Sequence, residues 1–202
     1  MSGVEVYRTL EQACESEVYR VKGSKFLSFA HPVESREEIE EVLKTIRATH
    51  HKANHCCYAW SLGADRAEYR FNDDGEPTNS AGKPIYGQIL SYDLTNVLVA
   101  VVRYFGGTKL GVGGLIQAYR ESARLGLERA KVVEREIKRT YTLVFGYANM
   151  DRVMRLVREK QLEILGQDMG LDVSMKLLVS KKNDRAFREQ VSQWPEVRLV
   201  DP

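Results

Sequence analysis

The chain has 202 residues, 43% of them hydrophobic and 29% charged, with a net charge of +2. That composition excludes a disordered polymer, the charge alone is too small to mark a nucleic-acid binder, and no apolar run reaches the roughly 20 residues of a membrane helix. The polar, acidic start MSGVEVYRTLEQACESE is not a signal peptide, so Cys14, Cys56 and Cys57 are expected as reduced thiols in a cytoplasmic protein.

VYRVKGSKFLSFAHPV reads as two strands around Lys22-Gly23-Ser24. SREEIEEVLKTIRATH reads as a helix, with Ser35 as N-cap, Glu38 completing a capping box, and Ile39, Val42, Leu43 and Ile46 as the buried stripe. NHCCYAWSLG is an aromatic-rich strand with AEYRF as its partner. Cys56 and Cys57, neighbours on that strand, point to opposite faces and do not pair. The polar loop NDDGEPTNSAG follows, then a short helix, KPIYGQILSY. TNVLVAVVRYF is continuously apolar, the mark of a strand buried on both faces. GLIQAYRESARLGLERAK is a helix with Leu115, Ile116, Tyr119, Ala123 and Leu127 on its apolar face.

Near residue 137 the pattern restarts. KRTYTLVFGY is a strand, and ANMDRVMRLVREK a helix with Asn149 or Asp151 at its start. LEILGQDMG and LDVSMKLLVS form a hairpin across Met169-Gly170, KNDRAFREQVSQW is a helix closed by Pro195, and EVRLV is a final strand. The order β-α-β-β-α-β is that of a ferredoxin-like domain. Two domains are therefore expected, 1–137 and 138–202, divided inside the charged stretch VVEREIKRT. Residues 1–137 hold 18 Lys/Arg and 19 Asp/Glu, a net of −1, and residues 138–202 hold 12 and 9, a net of +3. The positive excess lies in the smaller domain.

Three stretches carry candidate chemistry. In RYFGGTKLGVGGLIQAY, Arg103 to Tyr119, a buried strand runs through five glycines into a helix. Backbone N–H groups at such a helix start receive anions, with Arg103 and Lys109 adding charge. Gly106 and Gly107 end the strand, and Gly113 and Gly114 open the helix. The alternative is purely geometric, since neither a P-loop nor a G-x-G-x-x-G fingerprint is present. In NDDGEPTNSAGKP, Asp73, Asp74 and Glu76 either form ordinary turns or act as acid, base or metal ligands. If they converge they need a basic neighbour, and Arg103 is the expected partner. In HHKANHCC, His55 and Cys57 share a strand face about 6.5 Å apart. That spacing is long for a nucleophile–base pair and too poor in ligands for zinc.

Together and in this order, HCCYAW, DDGEPTNSAGKP and VVRYFGGTKLGVGGLIQAY closely resemble the IMPACT/YigZ family. The resemblance covers about residues 17–130. It implies an α+β fold whose first domain has the left-handed β-α-β crossover shared with a small-subunit ribosomal protein domain and domain IV of elongation factor G. The second domain is then expected to resemble the last domain of that factor. Eukaryotic relatives restrain a pathway in which a kinase phosphorylates an initiation factor, partly through an extra N-terminal domain that competes for the kinase's activator. No such domain is read here, so that partner is not carried over.

The function expected is a non-enzymatic protein linked to regulation of translation, with RNA or the ribosome as partner, a translation-related protein as a further candidate, and no cofactor, metal or membrane. The anion- or nucleic-acid-binding residues are Arg103, Gly106, Gly107, Lys109, Gly111, Gly113, Gly114 and Lys83. Asp73, Asp74 and Glu76 are the loop carboxylates. One alternative is an enzyme acting on a phosphorylated small molecule, with the glycines cradling phosphate and Asp73 or Asp74 holding Mg²⁺. A protein-interaction module is another.

Overall fold

The computed structural model describes residues 5–200. Residues 7–135 form one compact unit, and residues 136–200 with Glu5 and Val6 form another. Both are mixed α/β units built on antiparallel sheets.

The first unit holds, but for the end residues Val6 and Glu136, β1 (Val6–Leu10), β2 (Cys14–Glu15), β3 (Tyr19–Val21), β4 (Ser24–Pro32), α1 (Arg36–Thr49), β5 (His55–Leu62), β6 (Glu68–Asn72), α2 (Gly82–Ser91), β7 (Val97–Tyr104), α3 (Gly111–Arg129) and β8 (Val132–Glu136). Its main sheet runs β2-β4-β7-β5-β6, with β3 paired to β4. Strand β7 lies between β4 and β5 and is antiparallel to both. The run VLVAVV is apolar on both sides because both faces are covered. Val97, Val99 and Val101 pack with Ile85 and Ile89 of α2 and Leu115, Tyr119 and Leu127 of α3. Leu98, Ala100 and Val102 pack with Ile39, Leu43 and Ile46 of α1. The same alternation separates Cys57 from Cys56 on β5.

Local chemistry sets the element ends. Lys22 and Gly23 turn at φ 45° and 80°, the left-handed pair that joins β3 to β4. Ser35 accepts from the Glu38 N–H at 3.2 Å and starts α1, while the Glu38 carboxylate accepts from the Glu34 N–H rather than that of Ser35. The capping box is thus shifted by one residue.

Three differences from the sequence reading stand out. Strands β1, β2 and β8 form where none was expected. VVERE is a strand paired with β1 rather than a charged connection, and Ile137 alone separates it from the next strand. The ribbon buries the adjacent Thr9 and Leu10 at one end of β1 and leaves residues 134–136 exposed, so no alternation announces it. Helix α3 begins at Gly111 rather than Gly113, and Ile116 is half-buried rather than part of the core.

The second unit runs β9 (Lys138–Phe145), a 3₁₀ turn, α4 (Met150–Glu159), β10 (Glu163–Met169), β11 (Val173–Ser180), α5 (Lys181–Ser192) and β12 (Val197–Val200). The sheet order is β10-β11-β9-β12, antiparallel throughout. Tyr141, Leu143 and Phe145 of β9 and Val173, Met175, Leu177 and Val179 of β11 pack with Val153, Leu156 and Val157 of α4 and Phe187 and Val191 of α5. The hairpin turn is Gly170-Leu171-Asp172, since Met169 pairs directly with Val173.

Two glycines at the end of β7 act differently. A Cβ on Gly106 would lie 1.9 Å from the Gly23 carbonyl carbon, so two backbones touch there. Gly107 has open space around it but sits at φ +87°. Gly106→Ala is expected to lower the unfolding free energy by more than about 2 kcal/mol, because backbone must move. Gly107→Ala should cost only about 1 kcal/mol of dihedral strain. Urea denaturation of both variants measures the order, and a reversed order would refute this packing.

Candidate functional site

The loop between β6 and α2 places three carboxylates in three different roles. Asp73 Oδ1 accepts from the N–H groups of Ala81 and Gly82 at 2.9 and 2.8 Å, and Oδ2 accepts from Asn79 N–H at 2.8 Å. It caps α2, whose own N-cap residue, Ala81, has no side chain to do so. Asp74 stands at φ 43°. Its Oδ2 accepts from the Cys56 N–H at 2.7 Å, and its Oδ1 meets Arg47 at 3.1 Å. This ties the loop to β5 and α1.

Glu76 turns inward. Its side chain is 4% exposed, and Oε1 accepts from Arg103 Nη1 at 2.6 Å and from the Tyr119 hydroxyl at 2.8 Å. Arg103 reaches it from the end of β7, with its guanidinium 5.5 Å from the ring centroids of both Phe26 and Phe105. Arg103 Nη2 also lies 3.4 Å from Ser24 Oγ. A buried carboxylate is tolerated only when paired and hydrogen-bonded, and Arg103 and Tyr119 supply both.

His55 and Cys57 border this pair without forming a nucleophile–base couple. His55 Nδ1 lies 2.8 Å from the Asp74 carbonyl, which can only accept, so that nitrogen carries the proton of this bond. His55 Nε2 is 3.8 Å from Glu76 Oε1. The Cys57 thiol donates to the Asp73 carbonyl at 3.0 Å. Burial pushes the Cys57 thiol and the Tyr119 phenol well above their usual ranges, so both stay protonated at neutral pH. Burial also raises the Cys56 thiol, against the opposing pull of Arg47. Among the described residues no cluster of three or more His, Cys, Asp or Glu side chains is arranged to hold a metal ion.

The glycine loop begins where this pair ends. The Phe105 N–H donates to Asn54 Oδ1 at 2.8 Å and the Gly106 N–H to Ser24 Oγ at 3.2 Å. Ser24 therefore serves the loop and Arg103 together. Residues 105–109 and 111–113 are exposed, Lys109 among them, while Gly114 is half-buried against the Leu110 Cβ. Helix α3 has no side-chain cap and no acidic residue in its first turn. Lys83 stands apart from the loop, in the first turn of α2, at the edge of a groove of about 700 Å³ shared with α3.

Thus Arg103 pairs with Glu76 alone of the three carboxylates, Asp73 serves the start of α2 and Asp74 the Cys56 N–H and Arg47, Lys109 lies exposed on the glycine loop, and Lys83 faces the groove. Sequence reasoning missed Ser24, Tyr119 and Arg47. Tyr119 left a signal: a tyrosine on the apolar face of a helix needs a partner for its hydroxyl.

Glu76→Ala strands Arg103 as an unpaired buried cation and is expected to cost about 3–5 kcal/mol of stability. Tyr119→Phe removes one hydrogen bond and should cost about 1 kcal/mol. Chemical denaturation checks both, and a loss below about 1 kcal/mol for Glu76→Ala would contradict a buried, paired carboxylate.

Comparison with known proteins matches this arrangement to a family. The family model described as the Impact N-terminal domain matches residues 22–127, the span that holds the loop, the pair and the glycines. The Bacillus subtilis IMPACT family member YvyE is 32% identical over 187 residues, covering 93% of this chain and 86% of that protein. The Escherichia coli IMPACT family member YigZ is 31% identical over 179 residues, covering 88% of each. A solved structure described as a hypothetical protein superimposes with a TM-score of 0.80 at 26% identity, covering 98% of both chains. The chain belongs to the IMPACT family.

Proposed function

We propose that this chain is a non-enzymatic protein of the cytoplasm that binds RNA or the ribosome and acts in the regulation of translation. Its family membership supports the link to translation, since eukaryotic members of the family restrain a translation-initiation pathway. The fold reading goes with it. The first unit is taken as the left-handed β-α-β crossover fold seen in a small-subunit ribosomal protein domain and elongation factor G domain IV. The second is taken as a ferredoxin-like domain like the last domain of that factor, with the order β10-β11-β9-β12 in support. Among the described residues no helix is long and apolar enough to cross a membrane.

The observation that carries the proposal is the contrast between inside and outside at the glycine loop. Each oxygen of Asp73 and Asp74 already has a donor, and Glu76 is buried against Arg103, so all three loop carboxylates are engaged in holding the structure. The exposed surface instead offers the backbone of Gly107, Gly111 and Gly113, with half-buried Gly114 beside them and Lys109 at the rim, while the Gly106 N–H is spent on Ser24 Oγ. That combination suits a phosphate that is held rather than broken. Arg103 acts as the internal brace of the loop. The +3 excess of residues 138–202 adds attraction to a polyanion.

The test is recovery of the tagged protein from cell lysate with and without RNase. RNA or ribosomal particles are expected in the untreated sample and lost from the treated one. Lys109→Ala should leave stability unchanged while weakening that association and flattening its salt dependence. Recovery free of RNA and ribosomes under both conditions would refute the proposal.

A further inference from the structure

The groove between α2 and α3 has a composition that its surroundings do not share. Its floor is apolar, made by Pro84 and Ile116. Its rim is made of hydrogen-bond donors: Lys83, Asn79 and Gln88 on one side and Arg120 on the other. Residues 82–91 and 111–120 contain no Asp or Glu at all. Among the described residues neither Lys83 nor Arg120 has a carboxylate within ion-pair distance. The next arginine on α3 shows what such a cation does when acids are near: Arg124 is held by Glu121 at 2.6 Å and by Glu128. Those acids lie beyond Arg120 along the helix and are spent on Arg124. The carboxylate nearest the start of α2, Asp73, is turned onto backbone N–H groups. Gly87 keeps the wall open, since a Cβ there would meet nothing within 4 Å. At about 700 Å³ the groove falls in the range of ligand sites, about 300–1,000 Å³.

We propose that the α2–α3 groove holds the backbone of single-stranded RNA, with a phosphate between Lys83 and Arg120 and a sugar or base face on Pro84 and Ile116. This rests on the RNA-binding reading above and gives it a surface distinct from the glycine loop. Two cations on facing helices fix the position of a phosphate, while the lack of aromatic side chains and of a fixed acceptor pattern in the lining gives no means of reading base sequence. Binding is therefore sequence-tolerant and strongly salt-dependent.

Fluorescence anisotropy of the full chain with labelled oligo(U) and oligo(A), across a KCl series, tests this. Lys83→Gln/Arg120→Gln replaces two exposed side chains and should keep the native circular dichroism and melting temperature. It is expected to bind both oligonucleotides at least about tenfold more weakly, with a log–log salt slope shallower by about 1.4 for two lost contacts. Lys44→Gln, an equal loss of charge per site on α1 across the sheet, should bind as wild type. Equal binding by the double variant and wild type overturns the groove while leaving RNA binding itself intact. Absence of oligonucleotide binding by wild type overturns the groove proposal, while recovery of ribosomal particles from lysate decides the translation reading separately. Binding of UMP without binding of either oligonucleotide assigns the groove to small phosphate esters and overturns the RNA proposal.

Discussion

Arg103 and Glu76 meet 2.6 Å apart inside the first unit, and the architecture around them follows from the need to make that meeting tolerable. Two charges removed from water cost several kcal/mol unless their geometry and remaining hydrogen bonds are satisfied. The Tyr119 hydroxyl, the Ser24 hydroxyl and the flanking rings of Phe26 and Phe105 supply most of that setting, leaving the buried Arg103 Nε without a hydrogen-bond partner. An ion pair of this kind adds little net stability but admits few alternatives. It fixes where the β6–α2 loop enters, where β7 ends and how α3 lies against the sheet.

The consequences pass outward through neighbours. Ser24 bonds both Arg103 and the Gly106 N–H, so the first residue of the β3–β4 hairpin's returning strand sets the exit of β7. Gly23 and Gly106 then touch backbone to backbone, which no side chain permits. Beyond that contact the chain is exposed and turns through Gly107 and Gly111, both at positive φ, into α3. On the other side Asp73 starts α2, and Asp74 clasps β5. Both helices that face the groove thus begin at elements positioned by one buried pair.

Much of this was legible in the sequence, and the parts that were not have physical reasons. The continuous apolar run 97–102 announced a strand buried on both faces, and the helix N-cap at Ser35 marked α1. The β-α-β-β-α-β order after residue 137 matches the elements found. The strands of the β1–β8 ribbon and the two-residue β2 left no trace, because Thr9 and Leu10 are buried side by side rather than alternately, residues 134–136 are exposed, and two residues are too few to show a period. At the site, the residue types in DDGEP and RYFGG pointed to charge compensation, and the structure pairs Arg103 with Glu76. It was not legible that Asp73 would spend its oxygens on a helix cap, or that Glu76 would be buried while Asp73 and Asp74 stay at half depth. Turn chemistry and active-site chemistry use the same residues, and only their three-dimensional partners separate them. Arg120 was invisible for a related reason: a lone arginine on a helix gains meaning only from the absence of acids on the facing wall.

The central claim is that the buried pair holds the glycine loop, and amide hydrogen exchange at Phe105 and Gly106 tests it most directly. Glu76→Leu/Arg103→Met replaces the pair by apolar side chains and avoids leaving one charge unpaired. With the pair gone, the amides of Phe105 and Gly106 should exchange at least about tenfold faster, while those of residues 98–102 in the centre of β7 keep their protection. Unchanged exchange at Phe105 and Gly106 in a folded double variant would show that the loop holds its shape without the pair, and would contradict the account.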